Sequence, residues 1–312
     1  MILAIDIGGS QFGMALVDGR GKVVKQVIRR ATRFGHADEV VAGMVVEGRR
    51  LIEGARVKAC GIGFGGPVDF EAQRIVNSTH VPGWDDLALP AVLEDALGIP
   101  TVMDNDANVG AFGEFTYGAG QGSRNLLYYT VSTGIGGGVV IEGAIYRGSD
   151  GFAGELGHVP ILVDGPDCEC GNRGCLEALC SGTAIGRRGS EAVQKHPRLG
   201  KRLRKMGVVT AKGVFDAARA GDRLALRVVD ETCVYLGMGM AGAMNAFAPD
   251  IMVVGGGVSK AGRVLFDPLR EQVKRFLMPV HRPHVKVVPA RLKGRSVLMG
   301  AVALAREFIT RV

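Results

Sequence analysis

The sequence predicts an α/β protein in two domains, and three observations carry that expectation. The chain has 312 residues, beyond the size at which one hydrophobic core usually keeps growing. Residues 2–17, ILAIDIGGSQFGMALV, and residues 126–141, LLYYTVSTGIGGGVVI, share one pattern of strand, Gly-rich turn and strand, so two similar hairpins open two halves. Short β-type runs elsewhere alternate with helical stretches, as where residues 101–103 lead into residues 109–115.

The first hairpin turns at Gly8, Gly9 and Ser10. Successive glycines beside a hydroxyl expose backbone N–H groups in a concave nest suited to phosphate oxygens. The next informative run is Asp104-Asn105-Asp106-Ala107-Asn108, at the end of a β-type segment and just before a helical one. Polar groups at such a junction converge on a small polar ligand; helix capping by Asn105 or Asp106 accounts for them equally well. The second hairpin places Ser132 and Thr133 before Gly134. A third Gly run, Gly255-Gly256-Gly257, follows the apolar strand of residues 251–254. One such turn is an ordinary β-turn, whereas three together point to a nucleotide. Neither GxxxxGK[ST] nor the dinucleotide fingerprint occurs in the chain, which disfavours a P-loop or a dinucleotide site. Residues 234–249 are apolar, rich in Gly, Ala and Met and interrupted by Asn245. That stretch is too short to cross a bilayer comfortably and reads as a buried helix, with no membrane partner.

Cys168, Cys170 and Cys175 sit in DCECGNRGCLEALCSG, ten residues downstream of a Gly-Glu-Leu-Gly-His run ending at His158. Three thiolates and one imidazole make a closed tetrahedral zinc set with no position left for water or substrate, so the expected zinc is structural. The competing reading is three unrelated buried thiols or a redox pair. Cys60, Cys180 and Cys233 lie singly in apolar surroundings and read as small buried hydrophobes. Thiols grouped as metal ligands, and a start without a basic segment, long apolar stretch or cleavage site, give the expectation of a cytoplasmic protein. Much of the net charge of +7 comes from residues 187–205, RRGSEAVQKHPRLGKRLRK. Without interleaved aromatics this reads as a solvated helical face rather than a nucleic-acid surface, though a basic surface also favours anionic substrates such as nucleotides.

Seven ordered pieces together resemble a sugar kinase of the ROK family, glucokinase-like: Asp6-Ile7-Gly8-Gly9-Ser10, Gly65-Gly66-Pro67-Val68, the Asp104 to Asn108 run, Ser132-Thr133-Gly134 with its following glycines, Gly154-Glu155-Leu156-Gly157-His158, the cysteine run, and Gly255-Gly256-Gly257. The resemblance covers nearly the whole chain. It implies the two-domain actin-like/hexokinase-like ATPase fold, of the ribonuclease H-like type, with a cleft between an N-terminal α/β domain (1–118 plus 296–312) and a C-terminal α/β domain (119–295) carrying the zinc motif. The hinge is expected near residues 117–123, where Gly118, Gly120 and Gly122 absorb backbone rotation.

By the same resemblance, Asp106 matches the catalytic base that takes the proton of a hexose 6-hydroxyl as it attacks the γ-phosphorus of ATP. Asp6 matches the carboxylate that faces Mg²⁺ through water. Gly8, Gly9, Ser10, Thr133, Gly134 and Gly256 match nucleotide-binding positions. Gly65, Asn105, Asp106, Glu155, His158 and Glu177 match the sugar pocket, His158 also ligating zinc with Cys168, Cys170 and Cys175. Departures are Ser10 where Thr is usual, Gln11 where Lys or Asn is frequent, and His80 where glucokinase-type members often carry Asn. The implied activity is ATP-dependent phosphorylation of glucose at the 6-hydroxyl. An N-acylhexosamine or mannose kinase, or a fructokinase, is the alternative within the family. A sugar-sensing regulator is a further rival, but such members carry an N-terminal helix-turn-helix extension, whereas here the first phosphate strand begins at Ile2. A zinc-stabilised structural module would explain the cysteines but neither the hairpins nor the Asp-Asn-Asp cluster. The resemblance and the apolar stretch after Val234 give a homodimer or homotetramer as the expected assembly.

Overall fold

The computed structural model describes residues 1–9, 11–30, 35–77, 82–196 and 198–311. Ser10 and the segment with His80, singled out above, lie outside the described residues. In chain order the regular elements are β1 (Ile2–Ile7), β2 (Gln11–Val17), β3 (Val23–Arg30), α1 (Ala37–Ile52), β4 (Ala59–Phe64), β5 (Val68–Asp69), β6 (Arg74–Ile75), α2 (Leu89–Leu97), β7 (Thr101–Asn105), α3 (Asp106–Tyr117), β8 (Leu126–Val131), β9 (Ile135–Ile141), β10 (Ala144–Ile145), α4 (Leu176–Cys180), α5 (Gly182–Lys195), α6 (Lys201–Arg204), α7 (Ala211–Arg219), α8 (Arg223–Phe247), β11 (Ile251–Gly255), α9 (Arg263–Phe276), β12 (Val287–Pro289) and α10 (Ser296–Arg311). Two five-stranded sheets form, ordered β3-β2-β1-β4-β7 and β10-β9-β8-β11-β12.

In the first sheet β1 pairs antiparallel with β2 and parallel with β4, which pairs parallel with β7. The near-continuous apolar run of β1 follows from burial on both faces. Leu3, Ile5 and Ile7 join one core with α1 residues Val40 and Met44, while Ile2 and Ala4 join a second core with Val109 of α3 and Val302 of α10. Strand alternation therefore puts Asp6 on the α3 side of the sheet. Opposite Ala4 and Asp6, β4 carries Gly61 and Gly63. A side chain at Gly61 would run into the Ala301 carbonyl, so this glycine lets α10 press directly on the strand.

In the second sheet β11 runs parallel to both β8 and β12. Helix α8 extends beyond the expected 234–249, beginning at Arg223 because Asp222 caps it through the N–H groups of Leu224 and Ala225. Gly237 and Gly239 of α8 leave room for Gln272 of α9 and Leu176 of α4. No described helix is long and apolar enough to cross a membrane.

The chain divides into two compact units: residues Met1–Gly122, Gly138–Gly154 and Arg291–Val312, and residues Ser123–Gly137 and Glu155–Ala290. Helix α10 groups with the first unit. Residues 138–154, expected in the second domain, group with the first. The cause is local packing: a side chain at Gly138 would meet the Ala107 carbonyl and Ala111 of α3, and Arg147 forms an ion pair with Asp104. The glycines expected to act as a hinge have packing duties. Gly118 and Gly120 both donate to the Glu114 carbonyl, and a side chain at Gly118 would collide with the Glu114 carboxylate.

Candidate active site and metal centre

In the first unit the Asp-Asn-Asp run spans the end of β7 and the start of α3. Asn105 caps the helix, its Oδ1 accepting from the N–H groups of Ala107 at 2.9 Å and Asn108 at 3.3 Å. Its Nδ2 donates to the Gly66 carbonyl at 3.0 Å, which ties the Gly65-Gly66 loop to the helix start. Asp106 is then the first helical residue, following the Asn105 cap. A Cβ built on Gly65 would stand 3.5 Å from both Asp106 Oδ2 and Gly8 Cα. The ends of β1 and β4 and the N-terminus of α3 thus converge on one polar corner, with Gly8, Gly65 and Asp106 side by side. Asp6 stands one residue before the end of β1, and burial alone pushes its carboxyl up to about 6. A half-buried carboxylate with hard oxygen donors suits a Mg²⁺-linked position.

Asp104 is committed to an ion pair. It is buried, and its Oδ2 accepts from Arg147 Nε at 2.9 Å and Nη2 at 2.7 Å. Burial raises its carboxyl above the ordinary range and Arg147 pulls it back. Sequence reasoning missed Arg147, whose partner lies 43 residues away. Glu114 escaped it too: a fully buried carboxylate accepting from the N–H groups of Ala119, Arg291 and Leu292 and from the Ser296 hydroxyl.

In the second unit His158, Cys168, Cys170 and Cys175 come together, their ligand atoms all within 4.8 Å of one another. Cys170 Sγ and Cys175 Sγ lie 3.7 Å apart, and His158 Nδ1 lies 3.6 Å from Cys168 Sγ. Two thiolates held about 2.3 Å from one tetrahedral ion stand about 3.8 Å apart, so the donor set and spacing fit zinc. None of the six cysteines forms a disulfide. His158 directs Nδ1 at the thiols and leaves Nε2 facing Glu155 Oε2 at 3.8 Å. Partial desolvation pushes the Glu155 carboxyl up, with His158 opposing the rise and Glu177 adding to it. Glu177 receives the Ile135 N–H at 2.7 Å and lies against Gly134, where any side chain would collide with its carboxylate. The second Gly-rich turn and the cysteine motif are therefore locked together through Glu177.

The same unit holds a cavity of about 700 Å³ lined by Ser132, Thr133, Gly182, Thr183, Gly186, Arg187, Val209, Lys212, Phe215, Gly257 and Lys260, among others. Its rim is fixed by hydrogen bonds: Gly182 N–H donates to the Ser132 carbonyl at 2.7 Å, and the Thr183 hydroxyl to the Thr133 carbonyl at 3.0 Å. Gly256, at φ +81°, comes so close to the Val131 backbone that no side chain fits. Thr133 lines the cavity, whereas Gly134 faces Glu177 and Gly256 packs on the Val131 backbone. Arg187, read from sequence as part of a solvated basic face, reaches this cavity while pairing with Glu191 at 2.9 Å.

Two α/β units, each with a Gly-turned strand pair, a carboxylate corner in one and an apolar pocket with hydroxyl and cationic lining in the other, define the two-domain actin-like ATPase fold of sugar kinases. The chain belongs to the ROK family, whose model matches residues 2–308. It is 37% identical over 310 residues to a glucokinase of Thermotoga maritima, covering 99% of this chain and 98% of that one. A ROK family glucokinase from Streptomyces griseus, solved with glucose and AMPPNP, superposes with a TM-score of 0.85 at 33% identity, covering 98% of this chain and 99% of the other. A xylose repressor of Caldicellulosiruptor bescii is 27% identical, covering 97% of this chain and 77% of the repressor.

Proposed function

We propose that the protein is an ATP-dependent hexokinase that phosphorylates glucose at its 6-hydroxyl. The observation that carries this reading is the placement of Asp106 at the first position of α3, beside Gly65 and Gly8 and following the Asn105 cap. The glucokinase relatives and the glucose and AMPPNP complex of the Streptomyces griseus enzyme support it.

Phosphoryl transfer passes through a loose transition state, so the protein contributes mainly positioning and charge stabilisation. Asp106 accepts the proton of the sugar 6-hydroxyl as that oxygen approaches the γ-phosphorus. Asp6 is the carboxylate that would face Mg²⁺ arriving with ATP, which would neutralise charge between the phosphates. Gly8, Gly9 and Ser10, and Thr133 with Gly134 and Gly256, shape the phosphate-binding turns, and the cavity beside Thr133 accepts the nucleoside. Gly65 and Asn105 are the sugar-contacting candidates of the first unit, and Glu155, His158 and Glu177 those of the second; His158 also closes a structural zinc site with Cys168, Cys170 and Cys175. Its position beside Glu155 lets the metal orient the sugar-facing nitrogen. A cytoplasmic homodimer or homotetramer remains the assembly this reading carries.

The decisive experiment is a coupled ADP-release assay with Mg·ATP against glucose, mannose, fructose, N-acetylglucosamine and N-acetylmannosamine, with Asp106→Asn as the blank. Turnover with glucose foremost is the expected result. Preference for another sugar moves the assignment within the family; silence across the panel by a folded, zinc-containing protein defeats the kinase reading and favours a sugar-sensing role.

A further inference from the structure

Asp104 lies two residues before Asp106, and two of its four contacts go to Asn105 and Asn108, which flank Asp106 in sequence. Its Oδ1 accepts from the Asn105 N–H at 2.7 Å and from Asn108 Nδ2 at 3.3 Å, one residue before Asp106 and two after it. Its Oδ2 is gripped by Arg147 through Nε and Nη2. Arg147 comes from the turn after β10, where its carbonyl accepts from the Ala153 N–H at 3.0 Å. Its guanidinium lies 3.6 Å over the Phe70 ring. Phe70 is itself fastened to β7: Gln73 Nε2 donates to the Phe70 carbonyl at 2.7 Å, while the Gln73 amide bonds the Met103 N–H at 2.8 Å and the Met103 carbonyl at 3.1 Å. A closed ring results, from Met103 through Asp104, Arg147, Phe70 and Gln73 back to Met103. The Arg147 side chain is 18% exposed and that of Asp104 2%, so the pair works where water screens little. Guanidinium is suited to this place because it both stacks on the ring and donates twice to one carboxylate, which an ammonium does not reproduce.

We propose that Arg147 is a positioning residue for phosphoryl transfer, holding Asp104 so that its bonds to Asn105 and Asn108 set where the Asp106 carboxylate stands. This rests on the kinase reading above. Arg147 touches neither sugar nor nucleotide in this role, so its loss falls mainly on kcat, reaching KM for glucose only through Asn105. A base displaced by about 1 Å loses on the order of 10²-fold in rate.

The test uses the full-length, zinc-loaded protein and four variants: Arg147→Met, Arg147→Lys, Asp104→Asn and the pair Arg147→Met/Asp104→Asn. The readouts are kcat and KM for glucose and the thermal midpoint. Arg147→Met is expected to lower kcat on the order of 10²-fold with KM little changed, and Arg147→Lys to recover part of kcat. The double variant removes the buried unpaired charge, so its midpoint returns toward the parent's while kcat stays low. Should Arg147→Met fail to fold, the double variant decides alone. Parent-like kcat in Arg147→Met or in the double variant, or kcat that follows the midpoint across the set, overturns the proposal and leaves the kinase reading intact. A parent protein silent with every sugar overturns both.

Discussion

Asp106 owes its chemistry to its neighbours. Asn105 serves the cap, and the carboxylate at the head of α3 stands beside Gly65 and Gly8. Asp106→Asn keeps the shape and removes the proton acceptor, so kcat should fall by about 10²- to 10⁴-fold while glucose still binds; isothermal titration beside the rate assay checks both halves, and near-parent kcat would eliminate Asp106 as the base. Asp6 gives a prediction of opposite character. Its carboxyl is pushed up to about 6 by burial, so the folded state holds a proton that the unfolded chain has already released. Stability from this group is therefore lost as pH rises from about 4 to about 6, and it stays low above that window. Asp6→Asn should raise the unfolding free energy near neutral pH by up to about 3 kcal/mol, the difference vanishing below about pH 4, while Mg·ATP-dependent turnover declines. Denaturant titrations at several pH values decide it; equal stability of parent and variant at neutral pH would refute the claim.

At the scale of elements, α3 is a strut with a functional group at each end. Glu114 near its C-terminal end collects three backbone N–H groups and one hydroxyl, with partners as far as 182 residues away in sequence. Glu114→Ala strands those donors inside the protein and should cost on the order of 3–5 kcal/mol; a urea midpoint indistinguishable from the parent's would show that water replaces the carboxylate without penalty. What sequence made legible at this scale was local. Strand, Gly turn, strand was readable at both hairpins because the apolar pattern and the glycines are contiguous, and α3 was readable because Asn105 and Asp106 mark its start. The cysteines announced their cluster through ligand type and spacing. Arg147, Gln73 and Glu114 gave no local sign, since each draws its meaning from a partner brought near only by folding. The grouping of residues 138–154 with the first unit was not legible for the same reason: Gly138 shows its purpose only against Ala107 and Ala111.

Across the whole molecule, charge and metal give two further expectations. A chain with net charge +7 attracts an anionic nucleotide more than a neutral sugar. Raising ionic strength should therefore lower kcat/KM for Mg·ATP while leaving that for glucose nearly constant; parallel decline of both would point to a general salt effect. Chelation, or Cys170→Ala, should lower zinc content, thermal stability and activity together, and a stable, active protein with no bound zinc would remove the structural metal.

The backbones of α3 and α10 touch at glycines: a side chain at Gly300 would strike the Val109 carbonyl, and one at Gly113 the Ser296 carbonyl. Helix α10 also forms one wall of the core behind β1 and β4. During synthesis the unit that begins first is consequently completed last. Residues 2–122 leave the ribosome well ahead of α10, and the whole second unit emerges between them. Until residues 296–311 arrive, the α3 side of the first sheet exposes apolar surface of the kind that chaperones hold. The nascent chain thus gains its pocket-bearing unit before the strand–helix corner that bears Asp106 is closed.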